Sequence, residues 1–137
     1  MRLYETVFII RQDTSAQDVQ IVADTFVSLL KDMDAKLVKR EYWGLRVLAY
    51  PIKKNKRGHY VMLGLQASPD AIKELERRYR ISETIIRFIT LQVDHIDEKP
   101  SLMMKAAAEE EEKTSSYHNN KPSYHSKDLK DNARPQQ

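Results

Sequence analysis

The feature that most constrains this chain is the run from Glu41 to Lys54 and the residues just after it. It reads as strand, then a bend at Gly44, then more extended chain ending in a cationic tip, Lys53-Lys54-Asn55-Lys56-Arg57. Strand character resumes at Gly58 and holds to Ala67, with Asn55 and Gly58 expected to shape the turn. Two strand-like stretches with no room for a helix between them pair antiparallel, as a hairpin. Four cations among five residues at its end suit gripping a polyanion better than performing a reaction.

The flanking stretches then fall into place. Residues 2–10 are rich in β-branched and aromatic types, the pattern of a central strand with both faces at least partly covered. Tyr4, Phe8 and Ile10 share one face, and Leu3, Val7 and Ile9 the other. That second row is an aliphatic surface in need of a cover, which a partner protein could supply. Ser15 is a suitable N-cap, with Asp18 three residues on, for a helix whose buried stripe is Val19, Val22, Ala23, Phe26, Leu29, Leu30 and Met33. This helix should stop near Asp34, although no glycine stands there to take a left-handed conformation.

Lys36 to Arg46 carries interleaved charges, as an exposed or edge strand does. Ser68-Pro69-Asp70 starts a second helix with a cap, a first-turn proline and an acid that favours the dipole. Ile72, Leu75 and Tyr79 form its inner stripe, with Glu74, Arg77 and Arg78 facing water. Ile85 to Val93 is a fourth strand. The order β-α-β-β-α-β is that of an α+β, ferredoxin-like sandwich, a four-stranded antiparallel sheet with both helices on one face. A domain over residues 1–96 is expected, followed by a flexible low-complexity tail over 97–137 that is too polar to offset its chain entropy.

The chain has 137 residues and no cysteine, which excludes disulfides and thiolate metal sites. No membrane span and no signal peptide are expected, so a cytoplasmic location is. Up to Ile96, Lys and Arg outnumber Asp and Glu by 16 to 12, a modest excess that matters because it clusters at the tip. Enzymatic readings fare badly. His59, His95, His118 and His125 lack metal-ligand spacing, and three glycines (Gly44, Gly58, Gly64) cannot make a phosphate-cradling loop. Acylphosphatase-like catalysis would need a glycine-rich anion loop after the first strand, where this chain has Arg11-Gln12-Asp13-Thr14. No enzyme activity, metal, cofactor or small-molecule substrate is expected.

Binding is better supported. Lys53, Lys54, Lys56 and Arg57 can neutralise several phosphates, with His59 beside them as a phosphate or stacking contact. Arg2, Arg46 and Arg87 would extend the cationic surface if their strands align. Arg57-Gly58 begins like the RNP1 signature of an RNA-recognition module, but Val61 and Gly64 stand where its stacking aromatics belong.

These residues together resemble the bacterial small-subunit (30S) ribosomal protein six family over about the first 95 positions. The resemblance rests on Met1-Arg2-Leu3-Tyr4-Glu5, on the long block Trp43-Gly44-Leu45-Arg46-Val47-Leu48-Ala49-Tyr50-Pro51-Ile52-Lys53, and on Gly58-His59-Tyr60, Arg80-Ile81 and the Arg87 strand. It implies a structural constituent of the small ribosomal subunit that pairs with small-subunit ribosomal protein eighteen and binds the central domain of 16S rRNA. On that footing Arg2, Arg46, Lys53, Lys54, Lys56, Arg57, His59 and Arg87 are candidate rRNA contacts. Leu3, Val7, Ile9, Trp43 and Tyr50 are candidates for the protein-partner interface. The competing expectation is a ferredoxin-like protein-interaction or regulatory module without RNA binding, which binds a small ligand or self-associates through the open sheet face.

Overall fold

In the computed structural model, which describes residues 1–107, the elements run β1 (Arg2–Arg11), α1 (Ala16–Asp32), β2 (Lys36–Ile52), β3 (Asn55–Ala67), α2 (Pro69–Ile81) and β4 (Ile85–Val93). The strands form one antiparallel sheet in the order β2-β3-β1-β4, so β1 is central as its apolar composition requires. The fold is the expected ferredoxin-like β-α-β-β-α-β arrangement. Residues 108–137, which hold most of the expected tail together with His118 and His125, lie outside the described residues.

Local chemistry sets both helix starts. Ser15 and Ser68 are extended, and their hydroxyls accept from the backbone N–H of Asp18 and Ala71, satisfying donors that the helix cannot. Without a glycine, α1 ends through Asp34, whose φ of 59° supplies the left-handed residue. The N–H groups of Asp34 and Ala35 then close onto the carbonyls of Lys31 and Leu30.

The even-numbered residues of β1 face the helices. Phe8 packs against Phe26 of α1 (5.5 Å between centroids) and Tyr79 of α2 (5.2 Å), and Tyr79 also meets Phe88. The two polar groups buried among them are satisfied in series. Thr90 donates to the Thr6 hydroxyl, which donates to the Tyr79 hydroxyl. Burial pushes the Tyr79 phenol up, which keeps it neutral.

The opposite face is dressed unevenly. At one end the chain after β4 returns across it. Ile96 lies over Gly64, where an added Cβ would come within 3.2 Å of its methyl, and Lys39 donates to the carbonyls of Asp97 and Lys99. Residues 97–101, expected to belong to the tail, are therefore bonded to β2, and the compact unit runs from Met1 to Lys105.

Candidate functional site

The β2–β3 hairpin is shaped by two departures from regular pairing. Gly44, at φ 92°, takes the conformation that an L-residue resists, and the register slips there between Tyr42 and Gly44. Further out, Val47 pairs with Arg57 and Ile52 with Asn55, so Leu48 to Pro51 have no regular partners. Pro51 has no N–H to offer a ladder, which suits an irregular stretch on this edge strand. The spare length carries the outer part of β2 over the open face. There Leu48 is buried with Ile9 and Ile86, and Ile52 and Tyr60 pack against them.

The turn itself is two residues, Lys53 and Lys54, at φ 48° and 69°. Positive φ at both centres is the geometry in which Asn-Gly is ordinarily found. Two lysines held there incur a backbone cost on the order of 1 kcal/mol each. Asn55 supports the turn, as expected, by donating to the carbonyls of Ile52 and Lys53. Gly58, expected to do the same, instead lies within β3 and serves close packing, because a Cβ there would fall 2.3 Å from Ile9 Cγ2.

The loop after β1 fastens this tip to the body. Asn55 Oδ1 accepts from the Gln12 N–H, and Gln12 Oε1 accepts from the N–H groups of both Lys56 and Arg57. Lys53, Lys54, Lys56 and Arg57 are all exposed, and among the described residues none of them makes an ion pair. The tip is thus a positioned set of charges and not a loose one. Gln12 carried no signal in the sequence beyond being polar.

Other candidate contacts fall in different places. Arg87 is exposed and in register with Ile9, at the hairpin end of the sheet. Arg2 pairs with Ala67 at the other end of β1, roughly 20 Å away at ~3.3 Å per residue. The two therefore do not share one surface. Arg46 is half-buried and donates through Nε to the Trp43 carbonyl. His59 lies on the inner side: it is 5% exposed, shares a 2.8 Å hydrogen bond between Nδ1 and the Tyr42 hydroxyl, and stacks on that ring. As an even-registered neighbour of Ile10 it points to the helix-covered side, so it is not part of the exposed cationic surface.

The partner candidates separate in the same way. Val7, Ile9 and Tyr50 line one groove of about 360 Å³, together with Leu48, Tyr60 and Ile89. Tyr50 is 63% exposed, so it is no core aromatic. Trp43 borders this region by stacking on Tyr60 at 6.4 Å. Leu3, in register with Gln66 and Val93, lies at the far end of the face and does not reach the groove.

Glu41, in register with Met62 at the middle of the sheet, ties the returning chain to β2. It is buried, accepts from Trp43 Nε1 at 2.8 Å and from the Ser101 hydroxyl and N–H at 2.6 and 3.0 Å, and faces Lys39 Nζ at 3.5 Å. Burial pushes its carboxyl up, but the Ser101 and Trp43 hydrogen bonds and the Lys39 charge outweigh that and hold it below its ordinary value. A charged carboxylate is stable here because three hydrogen bonds and the Lys39 charge compensate its burial.

With this geometry established, comparison with known proteins is informative. A family model described as ribosomal protein S6 matches residues 3–92. The small ribosomal subunit protein bS6 of Gluconacetobacter diazotrophicus is 55% identical over 104 residues, 76% of this chain and 65% of that protein. This chain thus spans just under two thirds of that relative. The bS6 protein of Rickettsia canadensis is 49% identical over 105 residues, 77% of this chain and 87% of its own length. Among solved structures, the 30S ribosomal protein S6 of Thermotoga maritima superposes with a TM-score of 0.64 at 25% identity, covering 84% of this chain and 97% of that one.

Proposed function

This chain belongs to the ribosomal protein S6 family, and from that premise we propose that it is a structural, non-enzymatic constituent of the bacterial small ribosomal subunit, working in the cytoplasm. In this reading it binds the central domain of 16S rRNA together with small-subunit ribosomal protein eighteen. The observation that carries it is the fastened cationic tip beside an apolar groove. Lys53, Lys54, Lys56 and Arg57 are held outward by Gln12 and Asn55, while Val7, Ile9 and Tyr50 line the groove next to them.

The division of labour follows from the chemistry. Phosphates of an RNA backbone meet the tip lysines as point charges, which supplies affinity with little base readout. The groove gives a protein partner apolar area to bury, and Arg87 at its rim offers a charge for register. Lysines retained at the two positive-φ positions support this reading, since a turn selected for stability alone would carry Asn-Gly there.

The test is binding of the full chain to a central-domain 16S fragment across a salt series, with and without the partner protein. Binding that is tight only with the partner and steep in salt is expected. Lys54→Ala should weaken it about equally for all RNA sequences and lower the salt slope by about one. Absence of binding in both conditions, with a homodimer in solution, would favour the self-associating interaction module instead.

A further inference from the structure

Beside the cationic tip lies a second concavity, separate from the apolar groove. It is a notch of about 280 Å³ lined by Lys53, Tyr79, Arg80, Ile85, Ile86, Arg87 and Phe88. Three cations reach it from three separate elements: Lys53 from the hairpin turn, Arg80 from the last turn of α2, and Arg87 from β4. No carboxylate is among its lining residues. Its volume corresponds to roughly nine waters at ~30 Å³ each, enough for a phosphodiester and part of its sugar.

Arg80 is not disposed like an ordinary surface arginine. Its guanidinium carbon sits 5.5 Å above the centroid of the Phe88 ring. A cation held over a ring face in this way keeps its N–H groups for another partner, and a guanidinium offers them as a fork. Among the described residues the carboxylate paired with it is Glu76, 3.9 Å away on α2, too long for a strong bond and weakened by the solvent exposure of the arginine. Phe88 in turn packs against Tyr79, which is 1% exposed, so the platform under the guanidinium is part of the core. Exposed Arg77 and Arg78, by contrast, are both bonded at 2.8–2.9 Å to Glu74, whose single charge offsets one of theirs.

We propose that this notch is a second phosphate seat for the RNA strand gripped by the hairpin, with Arg80 as its forked donor and Lys53 shared between seat and tip. The inference rests on the RNA-binding reading above and extends it. The backbone track then runs from the hairpin turn across the end of the sheet to the end of α2, and it excludes Arg2. Because the grip is bidentate and stacked, charge alone does not reproduce it. Lysine at position 80 keeps the cation and loses the planar fork.

The experiment uses the full chain with the partner protein and the central-domain 16S fragment, titrated across a salt series. Arg80→Gln should weaken binding roughly tenfold and lower the salt slope by about one. Arg80→Lys should restore the slope but little of the affinity, and Arg77→Gln should bind like the wild type. Arg80 is 63% exposed, so thermal melts of these variants should match the wild type. Equal affinity and slope for wild type and Arg80→Gln would overturn the notch while leaving the hairpin grip intact. Full rescue by Arg80→Lys would overturn the forked seat in favour of diffuse charge. Failure of the wild type itself to bind would remove the RNA reading and the notch with it.

Discussion

Even-numbered residues of β1 enter a dry aromatic core, whereas its odd-numbered residues face a surface that the chain itself covers at one end and leaves open at the other. The two faces belong to the same strands and differ in how they are held. On the helix side, Phe8, Phe26 and Tyr79 interlock with nothing to be gained from a partner. On the other side a polar hub at Glu41 ties residues 97–101 to β2, and the apolar surface near the hairpin remains a groove. Exposed Ile89 and Leu91, at 56% and 55%, mark how incomplete that cover is. A sheet needs only one saturated face to be stable, which frees the other for recognition.

The contrast is open to test, beginning with the covered face. Phe8→Ala removes the 0%-exposed ring at the centre of the aromatic cluster and should cost about 3–5 kcal/mol in urea denaturation. A loss below about 1 kcal/mol would mean that the two faces are not as different as described.

Glu41→Ala tests the hub, and should cost about 2–4 kcal/mol because Lys39 and Ser101 lose a charged partner. Faster amide exchange over residues 97–104 would locate the effect. Since the Glu41 carboxyl is held below its ordinary 4.5, its contribution is complete at neutral pH. It is lost as pH falls below that value through the folded one. The same amides should therefore deprotect in acid in the wild type and show no such step in Glu41→Ala.

Gly58→Ala sets a methyl against Ile9 at the floor of the groove, and about 1–3 kcal/mol of destabilisation is expected from thermal melts. At the turn the sign reverses. Lys53→Asn with Lys54→Gly should stabilise the hairpin by about 1 kcal/mol while weakening RNA binding. A variant both less stable and equally tight in RNA binding would break the link between the strained lysines and function.

Smallest in stability is Ile89→Asp, expected within about 0.5 kcal/mol of wild type at this exposed site. It should nevertheless lower affinity for the partner protein severalfold, read by calorimetry. Unchanged affinity would place the partner elsewhere than the groove.

Much of this was legible locally. Ser15 and Ser68 announce their helices, the alternation of β1 sorts Phe8 from Val7, and a bend at Gly44 is where the register slips. The hairpin too could be read, because two strand patterns separated only by a charged turn leave no other pairing. What escaped was long-range. Gln12 and Asn55 are 43 positions apart, and Ser101 and Glu41 are 60. No periodicity joins residues at such separations. His59 follows cationic neighbours in sequence, while its β-register aligns it with Ile10 and the core side.

The sequence by itself determined the elements, their order and the presence of a cationic hairpin, since these follow from side-chain periodicity, capping and turn chemistry within a few residues. Only the tertiary structure decided which cations lie together. Strand register put Arg87 beside the hairpin and Arg2 at the opposite end of the same sheet. The end of α2 brought Arg80 to a notch shared with Lys53. Charge can be counted along a chain, but a surface exists only where packing brings distant residues side by side.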